Sequence, residues 1–193
     1  MTLDEKLQIT ASGVQGQTRE KFGSIEKLCQ NAPLEGSIIE VGVWRGGIAR
    51  HLADIFPGRK IFLADTFTGI PYVSKYDNHY RVGSFSDVDI EQVRSIFPEE
   101  NAEILQGIFP GEFQGRLDGE RFGVVHLDVD VYQGYRDSLE FLYPRTVSGG
   151  LVMLDDYKCP LTEGATIAVD EFLSDKPENV LFLNYQFYFI KEG

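Results

Sequence analysis

Apolar residues in this chain fall into short β-branched runs, and between the runs they recur at three- and four-residue intervals. The longest run, from Phe122 to Tyr132, reads as a buried parallel strand that delivers Asp128 and Asp130 to the carboxyl edge of a sheet. Ser37 to Val41, Lys60 to Ala64, Ala102 to Gln106 and Leu151 to Leu154 read as four more strands, the last entered by a turn at Gly149-Gly150. Helical spacing marks Ser24 to Gln30, Ile48 to Ile55, Val88 to Phe97 with Ser86 as its N-cap, Tyr135 to Tyr143, and Ala165 to Leu173. Pro33, Pro57, Pro98 and Pro144 stop the first four of these. Val180 to Leu183 and Gln186 to Ile190 are close enough in sequence to form an antiparallel hairpin. Residues 1–23 are polar and interrupted at Ser12-Gly13, Gly16 and Gly23, which predicts an N-terminal arm or partial lid ahead of a single domain over 24–193. Thr66 to Gly83 shows little period and carries four Tyr or Phe side chains, the pattern of a loop arching over the carboxyl edge. This alternation is α/β and doubly wound, a mostly parallel sheet with helices on both faces. Such sheets bind ligands at their carboxyl ends.

The turn after the first strand narrows the choice of ligand. A dinucleotide site needs Gly-x-Gly-x-x-Gly between strand and helix, so that the backbone can approach a pyrophosphate. Here the segment reads Glu40-Val41-Gly42-Val43-Trp44-Arg45-Gly46-Gly47, with the indole of Trp44 at the close-approach position, and the chain has no Gly-Lys-Ser/Thr phosphate loop. S-adenosylmethionine has no pyrophosphate. It needs a tight turn, which Gly42 and Gly46 supply, and an acid such as Glu40 near its cationic amino end. Asp65 stops the second strand about 20 positions after the turn, where such folds place the carboxylate for the ribose hydroxyls. Thr66 beside it, Gln106 at the end of the third strand and Asp128 at the end of the fourth complete the candidate donor-binding set. The same residues also suit a plain strand-to-helix turn with Asp65 as a turn-forming acid.

Asp128 ends the fourth strand and Asp155-Asp156 ends the fifth, so adjacent parallel strands bring three carboxylates to one place. Clustered carboxylates repel unless a cation or protons compensate, and an oxygen-only set selects a hard ion such as Mg²⁺. The alternative is structural, with Asp155-Asp156 capping a loop and Asp128 simply solvated. Asp130 suits three roles: an acceptor behind the metal ligands, an acid at the start of the next helix, or a general base. His126 lies on the same strand face as Asp128 and suits a packed, hydrogen-bonded histidine, whereas His79 in the aromatic loop can approach a substrate from a lid. Two further readings stay open. Asp128-x-Asp130 after an apolar strand matches the metal-binding unit of sugar-nucleotide glycosyltransferases, and a non-catalytic S-adenosylmethionine-binding module would keep the turn. The first leaves the glycine turn and Asp155-Asp156 unexplained, and the second has no use for the acids.

Composition removes other classes. Thirty acidic against eighteen basic residues in a chain of 193 give a net charge of -12, the wrong sign for a phosphate backbone or an anionic membrane. Cys29 and Cys159 form no metal or redox spacing, and no apolar run approaches the length of a membrane span. The chain reads as cytoplasmic, with neither nucleic acid nor membrane as a partner.

With these motifs in order, the sequence resembles the macrocin O-methyltransferase family. The likeness runs through Thr18-Arg19-Glu20, Glu40 to Gly47, Ala64-Asp65-Thr66-Phe67-Thr68-Gly69-Ile70-Pro71, Leu127 to Tyr132, Gly149 to Tyr157 and Ala168 to Phe172. The resemblance implies a Rossmann-like class I methyltransferase fold, seven strands with an antiparallel terminal strand. It implies S-adenosylmethionine as donor and Mg²⁺ held by Asp128, Asp155 and Asp156. It further implies Asp130 as the base; some members instead place a His where this chain has Val131. The expected acceptor is a sugar, glycan or glycosylated small molecule with adjacent hydroxyls. A catechol offers the same pair of oxygens, and a homo-oligomer is expected.

Overall fold

The computed structural model describes residues 1–10, 15–98 and 100–193. Seven strands form one sheet: β1 (Ser37–Val41), β2 (Ile61–Asp65), β3 (Ala102–Gln106), β4 (Phe122–Leu127), β5 (Thr146–Leu154), β6 (Leu181–Leu183) and β7 (Gln186–Ile190). Their order is β3-β2-β1-β4-β5-β7-β6. The first five are parallel, and β7 runs antiparallel to both β5 and β6. The strand order reverses between β1 and β4, and loops leaving that point in opposite directions open a crevice at the carboxyl edge.

The two-residue period of the strands sorts their side chains onto two faces. Ile38, Leu63, Val124, Leu151 and Met153 meet α2 (Gln15–Cys29) and α3 (Gly47–Ile55) through Phe22, Ile25, Ile48 and Leu52. Ile39, Phe62, Val125 and Val152 meet α5 (Tyr132–Leu142) and α6 (Glu163–Leu173) through Tyr135, Leu139, Ala165 and Val169. Two short helices, α1 (Leu3–Thr10) and α4 (Ile90–Ser95), complete the set. Gly47 is what lets α1 abut α3, since a Cβ there would lie 1.7 Å from Thr10 Oγ1. Among the described residues, no helix is long and apolar enough to cross a membrane.

The doubly wound sheet and its closing hairpin are as expected, and the differences have local causes. The helix foreseen from Ser24 begins at Gln15, because Phe22 and Ile25 carry its apolar stripe backwards past Gly23; the Ser12-Gly13 interruption lies outside the described residues. The N-cap of α4 is Asp89, whose carboxylate accepts the Glu91 amide at 2.9 Å, and not Ser86. Gly149-Gly150 sits inside β5, in the stretch where pairing with β4 slips, so it serves a bulge and not an entry turn. Finally, α5 begins three residues earlier than Tyr135. The Tyr132 amide donates to Asp77 Oδ1 at 2.9 Å, a cap lent by the distant aromatic loop that no local pattern announces.

Candidate active site

β1 hands the chain to α3 through a turn whose shape is forced. Gly42 has φ +85°, and a Cβ there would fall 1.8 Å from the Asp128 carbonyl oxygen, so the ends of β1 and β4 touch only because this residue is glycine. Asp65 clasps the turn from the end of β2. Its Oδ2 accepts the Val43 and Trp44 amides at 2.7 and 2.8 Å, and its Oδ1 accepts the Phe67 amide at 2.7 Å. The first two bonds hold Trp44, at φ 48°, in a left-handed conformation that a bulky residue rarely adopts. Thr66 donates its hydroxyl to the Gly69 carbonyl at 2.7 Å and fixes the start of the aromatic loop.

A cavity of about 310 Å³ opens against this turn. Gly42, Asp65, Thr66, Asp128, Asp130, Asp155 and Asp156 all line it, so most of the sequence-selected residues share one space. Two do not line it. Gln106 is exposed at the end of β3, and its neighbours Gly107, Ile108 and Phe109 face the cavity instead. Glu40 is buried beneath the turn, where its Oε1 meets His126 Nδ1 at 2.8 Å. Trp44, Phe85 and Tyr80 form an aromatic row along the rim, with ring centroids 6.2 and 5.2 Å apart. Burial and the carboxylates of Asp130 and Asp156 push the Tyr80 hydroxyl well above its ordinary pKa. His79 is exposed, edge-on to Tyr80, and does not reach the cavity.

The acids separate into two groups by their partners. One oxygen each from Asp128, Asp130 and Asp156 lies within 4.8 Å of the others, a spacing that one hard cation can bridge. Asp130 stands at φ 61° and donates its amide to Asp156 Oδ2 at 2.9 Å, which locks the two loops together. Tyr135 supports the cluster from below: its hydroxyl donates to the Leu127 carbonyl at 2.8 Å and accepts the Asp156 amide at 3.1 Å. Asp155 stands apart from that trio. Its Oδ1 is ion-paired with Lys21 of α2 and lies 3.4 Å from His126 Nε2.

Charge follows the same division. Burial, then Asp155 and Asp156, raise Asp128 well above the carboxylate range, and burial with Asp156 and Asp128 does the same to Asp130. Burial and Asp155 push Asp156 up to about 6. Burial also acts on Asp155, but Lys21 and His126 outweigh it and hold that carboxyl well below its usual value. His126 is lifted to about 10, because Asp155 and Glu40 overcome its desolvation, which favours the imidazolium form. Five carboxylates (Glu40, Asp128, Asp130, Asp155, Asp156) therefore face two cations (Lys21, His126), an excess of three negative charges when all are ionised.

Lys21 escaped the sequence reading. Its signal was available: Lys21, Ile25 and Leu28 share a helix face, and the polarity of residues 1–23 masked the stripe to which Lys21 belongs.

The sheet order, the glycine turn at the β1–α3 junction and the acids at the ends of β4 and β5 define a class I, Rossmann-like methyltransferase fold. The profile of the macrocin-O-methyltransferase (TylF) family matches residues 11–179, and the chain belongs to that family. It is 33% identical to the 8-demethyl-8-(2,3-dimethoxy-alpha-L-rhamnosyl)-tetracenomycin-C 4'-O-methyltransferase of Streptomyces olivaceus, over 63% of this chain and 53% of that protein. It is also 33% identical to the demethyldecarbamoylnovobiocin O-methyltransferase of Streptomyces niveus, over 71% of this chain and 58% of that one. The chain thus spans little more than half the length of these curated relatives. Among solved structures, the O-methyltransferase NovP superposes with a TM-score of 0.73 at 25% identity, over 91% of this chain and 81% of NovP.

Proposed function

We propose that this chain transfers the methyl group of S-adenosylmethionine, with Mg²⁺, to a hydroxyl of a sugar, glycan or glycosylated natural product in the cytoplasm. The observation that carries the reading is the meeting, in one cavity, of a turn unsuited to pyrophosphate with a cluster of carboxylates. When bound, the donor supplies an activated methyl group and the ion lowers the pKa of the hydroxyl it touches, which leaves the protein to align the attack and remove a proton.

Gly42 shapes the floor for the donor, and Gly46 completes the turn behind it. Asp65 stiffens that floor and keeps lone pairs for the ribose hydroxyls, since each carboxylate oxygen accepts more than one bond. Thr66 borders the ribose end, and Glu40 acts by charge from beneath the turn. Ser138 Oγ is buried on the cavity wall with no hydrogen-bond partner among the described residues, a polar group available to a ligand. Of the acids expected to hold the ion, Asp128 and Asp156 stand together with Asp130 and would bind it, while Asp155 is turned to Lys21 and adds its charge from beside them. The cluster fits a hard divalent cation, because every donor is oxygen and its carboxylates outnumber the cations Lys21 and His126. Asp130, poised beside Asp128 and Asp156, takes the hydroxyl proton. The row of Trp44, Phe85 and Tyr80 offers apolar faces to a sugar ring. The rhamnosyl group in the name of the S. olivaceus relative favours a sugar acceptor over a catechol.

The test is a product screen with methyl-labelled S-adenosylmethionine and Mg²⁺ over glycosylated acceptors and catechols, with and without a chelator. Label is expected in sugar-bearing acceptors only, and chelation is expected to abolish it. Calorimetric binding of a nucleotide sugar in place of S-adenosylmethionine would instead install the glycosyltransferase reading.

A further inference from the structure

The charge at the site is not balanced by the sheet alone. Lys21 comes from α2, well before the glycine turn in sequence, yet its ammonium reaches Asp155 at the end of β5. The side chain is 18% exposed and lines the cavity. Its helix is seated by the residues that follow it: the adjacent Phe22 is 1% exposed and Ile25 is fully buried. Burying an ammonium is costly unless it is paired, and here the partner is one oxygen of a carboxylate at the candidate ion site. His126 approaches the same Oδ1, and Glu40 holds the far side of the imidazole, giving a file of alternating charge: Glu40, His126, Asp155, Lys21. The carboxylates of Asp128 and Asp156 lie within reach of the Lys21 charge, so a second cation there would feel Lys21 directly.

We propose that Lys21 is a positioning residue of this site, the protein's own cation at the carboxylate cluster, which holds Asp155 in place and sets how tightly the cluster takes a divalent ion. The inference rests on the methyltransferase reading only for the presence of that ion. Like charges a few ångströms apart in a partly buried site repel strongly, so a resident ammonium weakens a divalent cation while keeping the empty cluster from flying apart. A lysine that merely anchored α2 would change stability and leave ion affinity alone.

The experiment measures Mn²⁺ binding by electron paramagnetic resonance on the full chain, as wild type, Lys21→Met, Lys21→Gln and Lys21→Arg. Lys21→Met is expected to bind Mn²⁺ roughly tenfold tighter or more, and Lys21→Arg to stay within about threefold of wild type. The thermal midpoint of Lys21→Met is expected to fall without ion and to recover at saturating Mn²⁺. Should Lys21→Met fail to fold, Lys21→Gln, which can still donate to Asp155, carries the same expected tightening. Unchanged or weaker Mn²⁺ binding in the folded variant overturns the assignment while leaving the methyltransferase reading intact. Tightening without methyl transfer to any acceptor leaves the assignment standing and removes the activity. If neither wild type nor variant binds Mn²⁺, the ion and the role of Lys21 fall together.

Discussion

The two faces of the sheet are built on different terms. The face under α5 and α6 is a continuous apolar layer in which Val125, Val152, Leu139 and Val169 are all essentially inaccessible. The face under α2 and α3 is equally closed, but across β1, β4 and β5 it carries the file from Glu40 to Lys21. Strand register explains why the charges meet: Glu40 pairs with His126, which pairs with Met153, and Asp155 follows two positions later on the same face. Asp156 therefore points toward α5, where Tyr135 receives its amide, while Asp155 points toward α2. One face supplies stability by excluding water. The other spends stability to fix a charge pattern that reaches the site, since buried ion pairs rarely stabilise as much as apolar packing of the same volume.

That contrast is most sharply broken at His126. Removing one member of a buried charged pair strands the other, so His126→Leu is expected to lower unfolding free energy by about 3–5 kcal/mol. The double variant Glu40→Leu/His126→Leu replaces both partners by apolar groups and is expected to recover at least half of that loss in urea unfolding. If the double variant is as unstable as the two singles added together, the file is needed for folding and the distinction between the faces does not hold.

The same contrast explains which parts of the site were legible in the sequence. Strands β1, β2 and β4, the turn at Gly42 and Gly46, and the acids at the strand ends could be read because each depends on residues close in sequence. The sequence also brought Asp128, Asp155 and Asp156 to one edge by counting strands. It did not separate Asp155 from Asp156, although the two-residue period places neighbouring acids on opposite faces. Asp130 joins Asp128 and Asp156 through a left-handed backbone, a conformation that no spacing rule forecasts for aspartate. Lys21 and Asp77 were missed for a different reason. Each acts on a segment far away in the chain, Lys21 on the end of β5 and Asp77 on the start of α5, and only the assembled fold shows them as partners.

On the apolar face the corresponding probe is Tyr135, whose hydroxyl ties this layer to the cluster. Tyr135→Phe keeps the ring packing and removes only the hydroxyl shared by the Leu127 carbonyl and the Asp156 amide. The expected loss is about 1–2 kcal/mol in urea unfolding, the scale of a buried hydrogen bond left half unmade. Mn²⁺ affinity should fall only slightly, since Asp156 is still held by the Asp130 amide. A stability loss as large as that of His126→Leu would mean that the cluster governs the apolar face as well.

The smallest effect is expected at the outer margin of the charged face, where α1 is pinned to α3. Lys6 is buried and meets Asp54 Oδ2 at 2.5 Å, while Arg50 pairs with the other oxygen. Burial raises the Asp54 carboxyl, but Lys6 and Arg50 together carry it below its usual value. A depressed carboxylate stabilises the fold above its unfolded pKa of about 3.9, and that contribution is lost as pH falls through the lower, folded value. Asp54 is partly open to water, and the amide oxygen of Asp54→Asn can still accept from Lys6, so this variant should cost only about 1 kcal/mol near pH 7. The difference between variant and wild-type melting points should narrow below about pH 4 and vanish once Asp54 is protonated in both states. A gap that persisted at low pH would show that shape and hydrogen bonding, not charge, dock α1, and would set this margin apart from the file that ends at Lys21.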